Sequence, residues 1–280
     1  MTLILNGKEV RDVLMKELSE TIQTFETVPT LVIIQVGDRA DSTSYINQKK
    51  IFAEKIGAKV IHKHYTDPVS QEEVLEDIKH FNKDIHIHGI IVQIPLPSTL
   101  NKDILIEAIN PAKDVDGLTT TNANYLLENS PKAIVPATTR GILSLLKYYN
   151  IPVEGKTVTV VGRSNLVGKP TAIALSNKKA FVTVAHSLTE NLKSVCVQSE
   201  ILIVAIGDPL FITKEYVKPG QVVIDVGINT LNSKLVGDVA FEEVKDIVTA
   251  ITPVPGGVGP MTVLSLFQNL VDAYSVNLPK

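Results

Sequence analysis

Tyr45 and Lys49 stand four residues apart in a stretch with helical spacing, so their side chains share one helical face. A lysine beside an aromatic hydroxyl can have its proton affinity tuned for acid–base work. The same pair at the same spacing also serves as ordinary amphipathic surface. Lys50 points off that face and is expected to be solvated. Gln93 closes the apolar run G-I-I-V-Q-I-P, just ahead of Pro95 and Pro97. A buried amide must find partners, and ligands bind at the carboxyl ends of parallel strands, so structural and ligand-binding roles both fit. Asp114 and Asp116 lie in D-V-D-G. One carboxylate suits the capping of a turn, and the other suits a cationic or amide-bearing ligand.

A second chemical locus runs from Val158 to Pro170, V-T-V-V-G-R-S-N-L-V-G-K-P. Four residues of strand type end in Gly162, and Gly168 opens a helical run. A strand, a glycine turn and a helix aim backbone N–H groups at a phosphate, although an ordinary βα turn shares this outline. Gly162 fits the first glycine of the dinucleotide fingerprint, but Ser164 holds the second place and Gly168 comes one residue late. The next strand ends V-T-V-A-H-S without the acidic residue that holds the ribose of NAD. If a dinucleotide binds, Arg163 and Ser187 suit the 2′-phosphate of NADP. The loop Pro253–Pro260 carries three glycines and three prolines, which permit close backbone approach and resist deformation. Histidines fall at 62 and 64, 86 and 88, and 80 and 186. Neither H-x-H pair has an evident third ligand, so no metal site is expected.

These residues need elements to hold them. Apolar spacing predicts helices over 8–25, 41–56 and 70–81, the last opened by a capping box of Ser70 and Glu73. Strands are expected at 30–36, 58–65 and 87–94, and a short helix at 101–109. A polar, turn-rich passage covers 110–136. A helix at 138–149 then introduces a second series, with strands at 158–161, 181–184, 201–206, 221–226 and 247–251. Helices are expected near 188–198, 213–217 and 241–246, and a last amphipathic helix spans 261–274. Alternation of β and α favours mostly parallel sheets with right-handed crossovers, an α/β class.

The 280 residues suggest two domains, and 44% hydrophobic content supports a sizeable core. A net charge of −3 with no long charge run argues against a nucleic-acid or membrane partner. The lone Cys196 leaves no disulfide framework. Apolar runs fall short of a membrane span and the N-terminus lacks a signal-peptide pattern, so a cytoplasmic protein is expected.

In order along the chain, Y-I-N-Q-K (45–49), V-Q-I-P-L-P (92–97), P-A-K-D-V-D-G-L (111–118), V-V-G-R-S-N-L-V-G-K-P (160–170), V-I-D-V-G-I-N (223–229), G-D-V (237–239) and P-V-P-G-G-V-G-P-M-T (253–262) occur together. This set resembles the bifunctional methylenetetrahydrofolate dehydrogenase/methenyltetrahydrofolate cyclohydrolase family from about residue 3 to 275. The resemblance implies an N-terminal α/β domain, residues 1–137 with the C-terminal helix 261–280, and a Rossmann-type NADP-binding domain at 138–260. Two long helices, Thr138–Tyr149 and Met261–Tyr274, would join them, with folate in the cleft between. It implies NADP-dependent oxidation of 5,10-methylenetetrahydrofolate and hydrolysis of the methenyl product to 10-formyltetrahydrofolate, a donor for purine biosynthesis. Lys49 would be the catalytic lysine of the hydrolytic step. Tyr45 would stack along the folate's aminobenzoyl ring, Gln93 would tune Lys49, and Asp116 would grip the pterin's amino-pyrimidine edge. Gly256, Gly257 and Pro260 would line the folate site. Gly162, Arg163, Ser164, Ser187 and Ile228 would meet the dinucleotide. A homodimer without a metal is the family's expectation.

The sequence departs from the family at Ala137 and Thr139, where Cys and Pro are common, and at Leu118 and Ala240. Leu188 stands where a basic residue is frequent, which weakens the case for the 2′-phosphate. Two other readings compete. Tyr45 and Lys49 also spell the Y-x-x-x-K of short-chain dehydrogenases, but there the glycine turn precedes that motif and here it follows. A relative that has lost one or both activities is the other reading, against which Lys49, Gln93 and Asp116 count.

Overall fold

The computed structural model describes residues 2–66 and 68–276. Residues 277–280, the end of the expected 261–280 segment, lie outside the described residues, as do Met1 and Asp67. In chain order the elements begin β1 (Leu3–Ile4), α1 (Gly7–Gln23), β2 (Thr30–Val36), α2 (Ala40–Ile56), β3 (Lys59–Tyr65), α3 (Gln71–Lys83) and β4 (Gly89–Val92). Then come α4 (Lys102–Glu107), α5 (Thr120–Leu127), α6 (Ala137–Tyr148), β5 (Thr157–Val161), α7 (Gly168–Asn177), β6 (Phe181–Ala185), α8 (Leu192–Gln198) and β7 (Ile201–Val204). The chain ends with β8 (Val222–Asp225), β9 (Asn229–Leu231), β10 (Lys234–Val236), α9 (Phe241–Val244), β11 (Ala250–Ile251) and α10 (Val258–Val276). The helix expected at 213–217 is a single 3₁₀ turn, Lys214–Tyr216. The chain divides into two compact units, one of Val13–Ala137 with the stretch from Val263, the other of the chain up to Asp12 with Thr138–Thr262.

The first unit holds a parallel sheet in the order β3-β2-β4. Every residue of β2 is buried, as its run of Leu, Val and Ile requires of a central parallel strand. Val32, Ile34, Val74, Ile78, Ile90 and Leu105 form its core. Ser70 caps α3 by accepting the Glu73 N–H at 3.1 Å, as the capping box predicts. The turn-rich passage contains a helix that the sequence reading missed. In α5 the Thr119 side chain accepts the Asn122 N–H at 3.3 Å and starts the helix. Ile90 N–H donates to Lys113 O at 2.8 Å, and a parallel bridge pairs Ile90 with Asp114. Residues 113–115 therefore lie beside β4, and both segments run out at the same edge of the sheet. The Asn269 amide, on α10, donates to Val115 O at 2.8 Å and Val135 O at 2.9 Å and fixes this segment from behind.

The second unit holds a parallel sheet in the order β1-β11-β8-β7-β5-β6. Leu3 and Ile4 pair with Ala250 and Ile251, so the chain's first dozen residues group here and not in the 1–137 domain of the sequence reading. Two residues are too few to show a strand pattern, which is why β1 escaped notice. β5 has β6 on one side and β7 on the other, so the chain reverses its direction of winding there. In a doubly wound sheet that reversal opens a crevice at the strands' carboxyl ends. The hairpin β9–β10 was likewise not predicted. α10 begins at Val258, three residues ahead of the expected start, because Pro260 is tolerated in the first turn of a helix.

Candidate functional site

In the first unit, α2 carries Tyr45 and Lys49 on one face, and Gln93 follows β4 directly. The Lys49 ammonium donates to Gln93 Oε1 at 2.9 Å. Gln93 is itself fixed: its N–H donates to Ile34 O at 2.8 Å and its side-chain amide donates to Ile94 O at 2.9 Å. The amide oxygen is therefore turned toward the lysine. Burial pushes the Lys49 amine below the ordinary lysine value, while the charge of Asp116 pulls it back up. A neutral amide accepts from the amine without adding the charge that would hold its proton.

The structure assigns the two aspartates different duties. Asp114 is buried, and its carboxylate accepts the N–H groups of Leu118 at 3.1 Å and Thr119 at 2.8 Å and the Asn122 amide at 2.9 Å. It builds the turn and the start of α5. Replacing Asp114 with Ala strands these donors, and chemical denaturation should show a loss of about 2–4 kcal/mol. Asp116 makes no hydrogen bond among the described residues. Burial raises its carboxyl above the usual range, Lys49 opposes that, and Asp114 adds to it. Gly117 has φ +71°, and a Cβ there would sit 2.6 Å from Ile134 O. Only glycine turns the chain so sharply after Asp116. Tyr45 is 39% exposed, and its hydroxyl has no hydrogen bond among the described residues.

Lys50 departs from the expectation of a solvated side chain. Its ammonium donates to His62 Nδ1 at 2.9 Å, and His62 Nε2 lies 2.8 Å from Gln35 Oε1. Gln35 in turn donates to Gly37 O and Thr43 Oγ1, each at 3.0 Å. The sequence reading missed this brace of α2 onto the sheet, although Gln35 interrupting an otherwise apolar buried strand was a visible signal. His62 and His64 stack with centroids 5.6 Å apart, and His88 Nδ1 accepts the Thr30 N–H at 3.1 Å.

The second unit places the residues predicted for the dinucleotide at the carboxyl ends of β5, β6 and β8. Gly162 has φ +126°, and a Cβ there would meet Ala205 O at 2.2 Å. A Cβ on Gly168 would meet Gly162 O at 2.2 Å. The turn after β5 is therefore bare backbone pressed against the loop after β7. Ser164 Oγ accepts the N–H groups of Val167 at 3.2 Å and Gly168 at 3.4 Å, which leaves its own O–H free to donate outward. Val161 pairs with Ala185, so Arg163 and Ser187, both exposed, leave neighbouring strands. Leu188 is 75% exposed, with its N–H donating to His186 Nδ1 at 3.1 Å. Ile228 is 45% exposed on the loop after β8. Gly256 and Gly257 immediately precede α10, Gly256 O accepts the Lys8 N–H at 3.2 Å, and Pro260 lies in the helix's first turn.

Comparison with known proteins also finds two domains, with bounds that differ from the two compact units at both ends of the chain. The catalytic domain of the family described as tetrahydrofolate dehydrogenase/cyclohydrolase matches residues 5–116, and that family's NAD(P)-binding domain matches residues 136–278. The chain is 45% identical over 278 residues to the bifunctional protein FolD of Streptococcus equi subsp. zooepidemicus, covering 98% of each. The solved bifunctional enzyme FolD, methylenetetrahydrofolate dehydrogenase/cyclohydrolase, of Campylobacter jejuni is similar with a TM-score of 0.97 at 40% identity, covering 99% of this chain and 100% of that one. A Trypanosoma brucei methylenetetrahydrofolate dehydrogenase-cyclohydrolase, solved with NADP and an inhibitor, gives 0.93 at 33% identity, with 98% of each covered.

Proposed function

The chain belongs to the tetrahydrofolate dehydrogenase/cyclohydrolase family, and we propose that it oxidises 5,10-methylenetetrahydrofolate with NADP⁺ and hydrolyses the methenyl product to 10-formyltetrahydrofolate. The observation that carries this reading is the Lys49–Gln93 hydrogen bond beside an Asp116 carboxylate that no described residue satisfies. In its neutral form the Lys49 amine takes a proton from the water that adds to the methenyl carbon. Gln93 holds that amine in place through both protonation states, because its oxygen accepts from either. The Asp116 carboxylate accepts the adjacent N–H donors of the pterin's amino-pyrimidine edge, and Tyr45 offers its exposed ring to the aminobenzoyl group. Gly256, Gly257 and Pro260 are proposed to contact the folate as well.

The turn after β5 fits a dinucleotide phosphate, since two glycines keep side chains off its backbone and the Ser164 hydroxyl is free to donate. Arg163 and Ser187 would hold the 2′-phosphate, and Ile228 would lie against the nicotinamide. Bound there, NADP⁺ supplies the hydride acceptor. Incubation with 5,10-methylenetetrahydrofolate and NADP⁺ should yield 10-formyltetrahydrofolate, followed by chromatography. Substrate recovered unchanged would refute the reading. Arg163→Ala should raise KM for NADP⁺ by about tenfold and leave KM for NAD⁺ nearly unchanged, because only NADP carries the charge that the guanidinium reads. Equal effects on both would remove Arg163 from that role.

Among the described residues, no helix is long and apolar enough to cross a membrane. A cytoplasmic enzyme supplying formyl groups to purine biosynthesis is the setting this proposal implies. A homodimer belongs to the same proposal: β6 is an outer strand of its sheet, with Phe181 69% and Val184 40% exposed, and such an edge invites a second copy.

A further inference from the structure

Among the described residues, Asp225 and Asp238 are the two buried carboxylates of the second unit, and no role at the dinucleotide site falls to them in the reading above. Asp225 ends β8, where its carboxylate accepts the N–H groups of Gly227 at 3.0 Å, Asp238 at 3.0 Å and Val239 at 2.9 Å. Burial and the neighbouring Asp238 push its carboxyl up to about 7, against the three backbone donors. Asp225 thus holds Asp238 in place, and Asp238 faces the loops. Asp238 Oδ2 accepts the N–H groups of Ile206 at 2.8 Å and Gly207 at 3.0 Å, on the loop after β7. Asp238 Oδ1 accepts the Asn229 amide at 2.8 Å, at the start of β9, where the loop after β8 ends. One side chain therefore ties together the two loops beyond the carboxyl ends of β7 and β8.

Each loop is tied next to a residue that matters. Ile206 directly follows Ala205, whose carbonyl is the surface against which Gly162 packs. Asn229 directly follows Ile228, the exposed side chain assigned to the nicotinamide. The space between is closed to adjustment, since a Cβ on Gly227 would strike Asp238 Oδ1 at 2.2 Å. A buried carboxylate costs stability unless its acceptors are filled, and here two donors come from the loop after β7, the strand beside β5 where the sheet changes direction, and the third from the start of β9.

We infer that Asp238 is a positioning residue for the dinucleotide, holding the loops after β7 and β8 at a fixed separation so that the floor beside Gly162 and the Ile228 side chain are set before the cofactor arrives. The inference rests on the dinucleotide reading of this unit. Asp238 acts through the loops and touches no reacting atom.

The test uses the full-length enzyme and both reactions. Asp238→Ala leaves Ile206 N–H and Gly207 N–H without their acceptor and should raise KM for NADP⁺ by about tenfold or more, with a smaller change in kcat. Hydrolysis of separately supplied methenyltetrahydrofolate needs no dinucleotide and should stay within about twofold of wild type. Asp238→Asn retains an oxygen for the two N–H groups, and the Asn229 amide can rotate to match it, so it should restore most of the affinity. Should the alanine variant not fold, Asn229→Ala decides: it keeps both backbone bonds, cuts only the link to the β8 loop, and should raise KM for NADP⁺ by about threefold. An unchanged KM for NADP⁺ in the folded variants overturns the inference. So does a parallel loss of hydrolysis, which would mark a general structural role. Failure of the dinucleotide reading looks different, because wild type itself would then reduce no NADP⁺.

Discussion

Replacing Lys49 with Met should slow the hydrolytic ring opening by about a thousandfold, in the range that loss of a positioned general base produces. The structure gives the reason. The Lys49 amine is half-buried, its proton affinity is lowered by burial, and its hydrogen-bond partner is the neutral amide of Gln93 at 2.9 Å. Methionine keeps the length and the apolar stem and removes only the amine. Folate should still bind, which equilibrium titration will check, and reduced cofactor should still form from the methylene substrate. Ring opening at close to the wild-type rate would show that the proton passes elsewhere. Arg at this position should fail as Met does, because a guanidinium does not release its proton in this pH range.

Asp116→Asn should raise KM for the folate by about a hundredfold in both reactions, the size expected when a charge-assisted two-point hydrogen bond is lost. Asp114, two residues away, spends its carboxylate on three donors of its own turn, whereas Asp116 keeps its oxygens free of the described residues. Burial and Asp114 raise its carboxyl, and Lys49 offsets part of that rise. In the proposed function, that carboxylate is kept for the donors that the folate brings. The substitution has a second consequence. Asp116 raises the proton affinity of Lys49, so its neutralisation should move the Lys49 titration to lower pH. A KM change confined to one reaction would show that Asp116 serves a single step and not the shared substrate.

The sequence carried this site to different depths. Helical spacing put Tyr45 and Lys49 on one face of α2, and the run ending at Gln93 marked the carboxyl end of a buried strand. Residue types alone left the choice between Asp114 and Asp116 open, and only the family resemblance singled out Asp116, because which carboxylate meets the N–H groups of Leu118 and Thr119 is decided by the folded turn. Arg163 and Ser187 could be singled out from a glycine turn and the following strand, and Val161 and Ala185, two residues before each, are partners in adjacent parallel strands. Asp225 and Asp238 stood inside the quoted motifs without a role, because their partners are backbone N–H groups of other loops, which side-chain types do not reveal. Short elements escaped for a related reason. β1 has two residues and the β9–β10 strands three each, too few for a period, and α5 is rich in Thr and Asn, which more often mark turns. Lys50 was misjudged because its acceptor, His62, lies on a strand whose position against α2 follows from the fold.

The central claim is that a lysine kept ready to lose its proton drives the hydrolytic step, and the pH dependence of ring opening tests it most directly. The quantity is kcat/KM for methenyltetrahydrofolate from about pH 6 to about pH 10, with the buffer rate subtracted, since this ratio reports groups on the free enzyme. The working form is the neutral amine, which grows as pH rises through a pKa lowered from the ordinary lysine value of 10.5. The account predicts a rate that climbs with pH with its midpoint below that ordinary value, and a Lys49→Met variant in which the climb is gone. A wild-type profile that is flat or falls with rising pH, or a climb that survives in Lys49→Met, would contradict it.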